Sequence, residues 1–422
     1  MPEDRGGIKI RIENKIKTTR QNALRMILQH QPPLHLTYCL NIHPGETWAE
    51  NLAAIREKAV RVKQFVSPDR WFGLGLRLSA QAAADLAGDA TLRSEALDVF
   101  AEHELYPFSV NAFPYGQFHA GPVKENVYAP DWRSAARRDY TMQVADILAG
   151  WLPESVDGSI STVPGSFKEW ITNPADAAAM AENLGAVAAY LAALHEDTGK
   201  EIHLGLEPEP SCFLETTAET VAFFRDVLWT TGADAVRKIR GCDANEADEI
   251  LRRHIGVCFD TCHVALQFED PLEALRTYRS EGIRISKVQL SAALMTGGSA
   301  ECWEALRPFA EGVYLHQVKV RAASGEIRSW TDLPLAIAGE SGRTDIEELR
   351  VHFHVPLFFQ GNGPLASTVS TLTPDFFREL RRGATSHVEI ETYTFDVLPP
   401  EIRPADAVRS VAREFAWVEE HL

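Results

Sequence analysis

From residue 34 onward, short apolar runs alternate along the chain with longer stretches of helical periodicity. Eight runs predict strands: LHLTYCLNI, WFGLGLRLS, YPFSVNAF, DGSISTVPG, IHLGLEPEP, HIGVCFDTCH, RISKVQLSA and SHVEIETYT. Three of the stretches between them predict helices: TWAENLAAIREKAVRVKQFV, ADAAAMAENLGAVAAYLAALHEDTG and TAETVAFFRDVL. The strands carry few polar interruptions, which is typical of strands buried on both faces of a parallel sheet.

Eight strands with intervening helices predict an α/β fold, specifically a (β/α)8 TIM barrel. A doubly wound open sheet is the main alternative. Neither G-x-G-x-x-G nor G-x-x-x-x-G-K-[ST] follows the first strand. Polar residues recur at the carboxyl ends of several strands, where barrel enzymes assemble their sites. Both observations favour the barrel.

The last strand comes late, about 90 residues after the seventh, which is too long for one βα unit. The interval contains two β-rich runs that flank ASGE, which predicts a hairpin. It also contains the β-like run LRVHFHVPLFF. We expect an insertion at about residues 292–372, over the mouth of one barrel domain that spans residues 34–422.

The first 33 residues differ from the rest, and we expect them to form a basic N-terminal extension. Residues 1–29 carry seven Lys or Arg against three Asp or Glu. They lack the uninterrupted apolar core and cleavage site of a secretory signal. A basic helix on a membrane surface is one interpretation, and an extra surface segment or an upstream start codon is the favoured one.

The net charge of −17 argues against nonspecific binding of nucleic acid. No run of 18 or more apolar residues exists, so no transmembrane helix is expected. Six dispersed cysteines without a C-x-x-C pair indicate a reducing, cytoplasmic setting. We therefore expect a small-molecule partner, no nucleic acid and no integral membrane segment.

Carboxylate and amide side chains fall at the ends of the last four strands. Glu207 ends an apolar run and is a better inward candidate than Glu209, because Pro208 and Pro210 interrupt the strand. A carboxylate in a polar loop is the alternative. Glu391 shares a face with Glu389 and lies nearer the carboxyl end of its strand.

Asp260 and Gln289 follow the same rule on the two strands between them. Asp260 ends a strand with His263 three residues later, where the two can converge on one ion, although a helix N-cap is an alternative role for the aspartate. Gln289 interrupts an apolar run, and its oxygen can coordinate a hard cation. This oxygen-rich set suits Mg²⁺ or Mn²⁺, and imidazole ligands extend the choice to Zn²⁺, Co²⁺ or Fe²⁺.

Further histidines lie in the inserted segment. His352 and His354 alternate around Phe353 and would face one side of an extended strand, and His316 lies in VYLHQV. A C-x-x-x-C pair, Cys258 and Cys262, flanks Asp260, but this spacing is a weak zinc signal. We expect these two cysteines to pack as small apolar side chains.

These residues resemble the pattern of the xylose isomerase-like barrel superfamily: Glu, then Asp-x-x-His, then His or Gln, then Glu, on the last four strands. Here the pattern is GLE, FDTCH, KVQLS and VEIET. From about residue 35 the chain is similar to the bacterial metabolite traffic protein EboE family. The segments that carry this second resemblance are HLTYCLNIHPGETW, VNAFPYGQFHA, STVPGSFKEW, VYLHQVKV, RVHFHVPLFF and VEIETYTFDVLP.

The superfamily resemblance implies a divalent ion bound by Glu207, Asp260, Gln289 and Glu391. The ion would act as a Lewis acid on a sugar, sugar phosphate or cyclitol, while Glu207 and Glu391 exchange a proton with the substrate carbon. The resemblance leaves one or several metal ions open. His263 would orient substrate or bind a second ion, and the remaining histidines (His354, His352 and His316) would line the mouth.

Two functions of different classes follow from these patterns. The first is a metal-dependent sugar isomerase or epimerase, which the retained pair of carboxylates favours. The second, which the resemblance to the metabolite traffic family implies, is a non-catalytic metabolite carrier or assembly component that uses the same pocket. Its partners would be proteins of a metabolite-traffic cluster. A metal-dependent hydrolase or lyase is a third class.

Overall fold

The computed structural model describes residues 27–30, 32–116, 118, 124–395, 398 and 405–422. Residues 1–26 of the predicted N-terminal extension therefore lie outside the described residues. A short strand at the end of that extension, β1 (Ile27–His30), pairs antiparallel with the first barrel strand.

Eight parallel strands form a nearly closed barrel, as the sequence predicts. The strands are β2 (Pro33–Tyr38), β3 (Phe72–Arg77), β4 (Leu105–Asn111), β5 (Gly158–Thr162), β6 (Ile202–Leu206), β7 (Ile255–Asp260), β8 (Arg284–Leu290) and β15 (His387–Ile390). They are hydrogen-bonded in the order β2-β15-β8-β7-β6-β5-β4-β3. A parallel bridge between Cys39 and Gly75 spans the remaining seam. This closure excludes the open sheet.

Gly75 fits this seam because it has no side chain. A Cβ at this position would lie 2.0 Å from Glu389 Oε1 and 2.8 Å from the carbonyl oxygen of Tyr38. The neighbouring strand could not approach a larger residue so closely. Every residue of β3 is buried, as expected for a strand covered on both faces.

Helices cover the outside of the barrel, and the three predicted helices are among them. They are α1 (Trp48–Ala54), α2 (Val60–Val66), α3 (Ala80–Gly88), α4 (Ala90–Glu102), α5 (Ala135–Trp151), α6 (Pro174–Thr198), α7 (Thr217–Phe223), α8 (Ala233–Arg240), α9 (Ala244–His254), α10 (Thr261–Leu266), α11 (Pro271–Ser280), α12 (Ala300–Leu306), α13 (Leu333–Glu340), α14 (Pro374–Arg381) and α15 (Ala407–His421). Wider π-helical turns at Ile55–Ala59 and Phe224–Gly232 join α1 to α2 and α7 to α8.

Helix α6 begins with a capping box from Asn173 and Asp176 and ends at Gly199 in the left-handed conformation. By length and composition it is the one described helix that could cross a membrane, and half of its most apolar window is buried inside the molecule. It packs against α5, α8 and α9 in the outer layer of the barrel. We therefore assign its apolar face to the core.

A second, antiparallel sheet follows β8 after the single residue Ser291. Its strands are β9 (Ala292–Thr296), β10 (Val318–Ala322), β11 (Ile327–Trp330), β12 (Ile346–Val355), β13 (Gly361–Asn362) and β14 (Leu365–Ser367). They pair in the order β11-β10-β12-β9-β14-β13. Strands β10 and β11 form the hairpin predicted around ASGE. In β12 the pairing with β9 shifts between Val351 and His354, so a bulge lies where this strand carries its two histidines.

Candidate metal centre

The predicted carboxylate and amide residues meet at the carboxyl ends of the last four barrel strands. Glu207 follows β6, Asp260 ends β7, Gln289 lies in β8 and Glu391 follows β15. The register pairs Asp260 with Gln289, so adjacent strands present them side by side. All four side chains are buried, with at most 4% of their surface exposed.

Three of these residues form a compact carboxylate group. One oxygen from each of Glu207, Asp260 and Glu391 lies within 4.8 Å of the others. Glu207 Oε2 and Asp260 Oδ2 are buried and accept no hydrogen bond from the described residues. Carboxylates held this close in a buried site favour a bound cation. The donor set therefore fits a divalent metal ion.

The three carboxyls respond differently to the shared environment. Burial raises the pKa of Glu207 and of Glu391 well above their usual range, and the proximity of the other carboxylates raises it further. Burial also opposes ionisation of Asp260, but the neighbouring histidines and hydrogen bonds outweigh it and lower the pKa of this carboxyl. The hydrogen bonds from Ser291 and its other partners thus favour the charged form of Asp260.

Asp260 combines the two roles that its position suggested. Its Oδ1 atom caps helix α10, accepting hydrogen bonds from the backbone N–H groups of Cys262 (2.7 Å) and His263 (3.1 Å). The same oxygen accepts a bond from Ser291 Oγ at 2.6 Å. These three donors fix the carboxylate and leave Oδ2 available to an ion.

Two asparagine side chains hold Glu391. Asn41 Nδ2 donates to Glu391 Oε1 at 2.7 Å, and Asn111 Nδ2 donates to the same oxygen at 3.3 Å. Both asparagines lie at carboxyl ends of barrel strands, after β2 and in β4 respectively. The sequence reasoning missed them, although the rule that identified Glu207 applies equally to these two strands.

Gln289 lies in the predicted place, with its oxygen engaged elsewhere. Cys258 Sγ donates to Gln289 Oε1 at 2.8 Å, while Gln289 Nε2 is buried and bonds no described residue. Rotation of the amide by half a turn exchanges the two atoms. Metal ligation by Gln289 therefore requires that rotation and remains a prediction.

Three of the four predicted histidines come together beside the carboxylates. His263 Nε2 lies 3.1 Å from His352 Nε2, which in turn lies 3.3 Å from His354 Nε2. One ring nitrogen of His263, one of His354 and an oxygen of Asp260 also lie within 4.8 Å of one another. Burial lowers the pKa of His263 to about 4 and lowers those of His352 and His354. The three imidazoles are therefore neutral near pH 7.

His316, the fourth predicted histidine, lies behind this group. Its Nδ1 contacts the carbonyl oxygen of His352 at 2.9 Å, and its Nε2 contacts Glu311 Oε1 at 2.8 Å. Both ring nitrogens are occupied, so His316 supports β12 and has no free nitrogen for an ion.

Glu209 joins the site even though its neighbouring prolines made it the weaker candidate. The backbone leaves β6 at Leu206, yet Glu209 is buried, and Tyr128 donates to its Oε1 atom at 2.8 Å. Burial raises the pKa of Glu209 to about 8. An oxygen of Glu209 lies within 4.8 Å of the nearest ring nitrogens of His263 and His352. The end of β6 at Leu206 therefore does not prevent the side chain of Glu209 from being buried at the site.

Both cysteines of the VCFDTCH segment are completely buried. Cys258 packs in the barrel interior, beneath Asp260, and donates to Gln289. Cys262 packs against Leu266 and Ala293, and its sulfur lies within 4.8 Å of ring nitrogens of His352 and His354. Burial raises the pKa of both thiols, so neither forms a thiolate readily when no metal ion is bound.

A small pocket connects this group to the mouth of the barrel. Its cavity volume is about 60 Å³, below the ~300–1,000 Å³ usual for ligand pockets. Three aromatic rings form a roof: Tyr314 and Tyr393 lie 5.4 Å apart, and Phe118 lies 5.2 and 5.4 Å from them. The described cavity is therefore smaller than those that usually hold a ligand of sugar size.

The eight parallel strands and the helices between them define a TIM barrel, with this site at the carboxyl ends of its strands. Among solved structures, the chain is similar to a xylose isomerase-like TIM-barrel protein from Mycobacterium smegmatis in complex with magnesium. The identity is 11%, the match covers 92% of this chain and 95% of that one, and the TM-score is 0.50. This likeness shows the fold.

Two further solved structures are similar to the chain with lower TM-scores. The IolI protein with a bound zinc atom is 10% identical, with 91% of this chain and 97% of that one covered and a TM-score of 0.43. A D-tagatose 3-epimerase-like protein is 12% identical, with 60% and 75% covered and a TM-score of 0.35. No protein-family model matches the chain, and no curated protein matches it. The resemblance to the EboE family thus remains a prediction.

Proposed function

We propose that this protein is a divalent-metal-dependent isomerase or epimerase that takes a proton from a carbon of a sugar or cyclitol and returns it to the adjacent or to the same carbon. The convergence of Glu207, Asp260 and Glu391 within 4.8 Å carries this proposal. A pair of carboxyls whose pKa values are raised by burial can hold a proton more readily than ordinary carboxyls do.

The two glutamates would take different parts. Glu391 is held by Asn41 and Asn111, so its position is fixed. Glu207 Oε2 accepts no hydrogen bond from the described residues. Glu207 is therefore the better group to take a proton from the substrate carbon, and Glu391 is placed to return it.

Glu207, Asp260 and Glu391 would hold the ion, with Gln289 as the fourth ligand after rotation of its amide. When bound, a divalent ion would polarise adjacent oxygens of the substrate. The zinc and magnesium in the similar structures support a divalent ion in general. The oxygen-rich set by itself suits Mg²⁺ or Mn²⁺.

The pocket favours an unphosphorylated substrate. Among the described residues that line it, three are glutamates, namely Glu207, Glu209 and Glu391. Lys124 is the described lysine there, and its Nζ atom already bonds Asp332 Oδ2 at 2.6 Å. Asn41, Asn111 and Tyr128 supply neutral hydrogen-bonding groups suited to hydroxyls.

Exchange of solvent deuterium into a substrate carbon tests the reaction. Metal-loaded protein is incubated in D₂O with unphosphorylated ketohexoses and keto-cyclitols, and NMR follows loss of the C–H signal next to the carbonyl. We expect exchange with at least one compound, and a decrease of at least 100-fold in Glu207→Gln and in Glu391→Gln. The control Glu419→Gln changes an exposed carboxyl on α15.

A metabolite carrier is the second candidate. The aromatic rings at the pocket favour it, because such rings can retain a ligand without taking part in chemistry. Binding of a panel compound without any deuterium exchange would support carriage and contradict the isomerase. Protein that binds no divalent ion after gentle purification and metal addition would contradict the metal-dependent reaction.

A further inference from the structure

Three imidazole nitrogens point at one another in the buried region between the barrel and the second sheet. They are the Nε2 atoms of His263, His352 and His354, with separations of 3.1 Å and 3.3 Å across His352. His263 comes from helix α10, whereas the other two lie on β12. The inserted sheet therefore brings two of these nitrogens to the barrel site.

The partners of the Nδ1 atoms determine where the hydrogens lie. His263 Nδ1 lies 3.0 Å from the carbonyl oxygen of Pro208, and His354 Nδ1 lies 2.8 Å from that of Glu391. A carbonyl oxygen only accepts, so each Nδ1 carries the hydrogen and each Nε2 has a lone pair.

The position of the hydrogen on His352 is determined in the same way, by its contact with Gln317. His352 Nδ1 lies 2.6 Å from Gln317 Oε1. The orientation of that amide is set by its Nε2 atom, which donates to the carbonyl oxygen of Pro210 at 3.1 Å. Gln317 therefore presents an acceptor, and His352 Nε2 is also a bare lone pair. Three lone pairs thus converge with no hydrogen between them.

The spacings match ligands on a single ion. With metal–nitrogen bonds of about 2.0–2.1 Å, neighbouring ligand atoms lie about 2.8–3.4 Å apart, from octahedral to tetrahedral geometry. The observed separations of 3.1 and 3.3 Å fall in this interval. The hydrogen bonds at Nδ1 are those that orient metal-binding imidazoles.

Asp260 connects this group to the carboxylates. Its Oδ1 atom is saturated by three donors, while Oδ2 lies 3.9 Å from His263 Nε2 and accepts no bond from the described residues. Asp260 groups with His263 and His354 on one side and with Glu207 and Glu391 on the other.

The geometry points to a second metal site, formed by His263, His352 and His354, that shares Asp260 with the carboxylate site. This inference extends the proposed function, because one aspartate serves both ligand sets. Imidazole ligands select Zn²⁺, Co²⁺ or Fe²⁺ over Mg²⁺. The two sites therefore differ in the ions they prefer.

Titration of metal-free full-length protein with Co²⁺ tests the inference, with bound cobalt counted by elemental analysis after desalting. We expect two Co²⁺ per wild-type chain and one per chain of His352→Asn/His354→Asn. Asparagine can keep the donor near the Nδ1 position and lacks Nε2. The control His316→Asn removes a histidine whose nitrogens are both engaged, and we expect it to bind two Co²⁺.

Equal cobalt content in wild type and His352→Asn/His354→Asn would overturn the second site and leave the proposed function standing. X-ray absorption of cobalt-loaded wild type gives a measurement without variants. The carboxylate set contains no imidazole, so imidazole scattering would support the second site and its absence would overturn it. Full retention of cobalt in Glu207→Gln/Glu391→Gln, with loss only in the histidine variant, would instead contradict the carboxylate site.

Discussion

The ammonium of Lys287 lies 2.5 Å from Glu389 Oε2, and both side chains are completely buried beneath the candidate metal centre. Ser109 Oγ is the second partner of the ammonium, at 3.0 Å. Glu389 lies on β15 two residues before Glu391, so this ion pair forms the layer below the ligands. The positive charge of Lys287 thus lies in the barrel interior, beneath the carboxylates of the candidate metal centre.

Removal of one partner should cost more than removal of both. We expect Lys287→Met to lower the free energy of unfolding by about 3–5 kcal/mol, because it leaves Glu389 buried and unpaired. The double variant Lys287→Met/Glu389→Gln should recover part of that loss. Urea denaturation measures both, with Arg307→Met at the exposed pair with Glu304 as a control of less than about 1 kcal/mol. Additive losses would contradict the pairing.

Gly75→Ala should strongly destabilise the barrel. The added methyl group would collide with Glu389 Oε1 and with the backbone of Tyr38 at the seam between β2 and β3. We expect a loss of about 2–4 kcal/mol in thermal or urea unfolding. The matched control is Gly88→Ala at the end of α3, where no described atom lies within 4 Å of the added Cβ. Equal stability of the two variants would show that the seam tolerates a side chain.

Glu414 should make stability depend on pH. Burial raises the pKa of Glu414 to about 7, although Thr392 Oγ1 and the backbone N–H of Leu357 donate to it. The ordinary value is 4.5. This group therefore contributes its full stability below about pH 4.5 and loses it as the pH rises to about 7.

Glu414→Gln removes that titration. Between pH 5 and 8, the free energy of unfolding of the variant should rise relative to wild type by about 2–3 kcal/mol. Urea titrations across this pH range measure the difference, with the exposed Glu419→Gln on the same helix as control. A difference that is constant with pH would mean that Glu414 titrates normally.

Asn41→Ala should weaken metal binding without removing a ligand. Asn41 Nδ2 donates to Glu391 Oε1 at 2.7 Å, so its loss frees the carboxylate to rotate. Supporting residues of this kind are worth about 10–100-fold in metal affinity. Calorimetric titration with Mn²⁺ measures the change, and Asn245→Ala on α9 is the control. Unchanged affinity would place the orienting role on Asn111 alone.

The barrel could be predicted from the sequence because its strands are buried on both faces, and such strands appear as apolar runs. β7 and β8, for example, are buried along nearly their whole length. The second sheet was predicted only as a hairpin and one extra strand. Its pairing of β9 with β12 joins segments about 50 residues apart, and no local pattern specifies such a partner.

The site was predicted where a polar residue interrupts or ends an apolar run. Glu207, Asp260, Gln289 and Glu391 all follow that rule and meet in space. Lys287 was missed because a lysine within a strand normally indicates an exposed position, and here Glu389 provides the buried partner. The gathering of His352 and His354 with His263 depends on the packing of two sheets, which sequence spacing does not encode.

The candidate ligands belong to two separately paired sheets, and His354 already joins them through its hydrogen bond to the backbone of Glu391. An ion held by both ligand sets would cross-link the barrel and the second sheet, and its removal would break that link. Local separation of the second sheet from the barrel would then cost more free energy as the concentration of free metal rises. The concentration of free metal would then affect how often the second sheet separates from the barrel, in addition to whether a reaction occurs in the pocket.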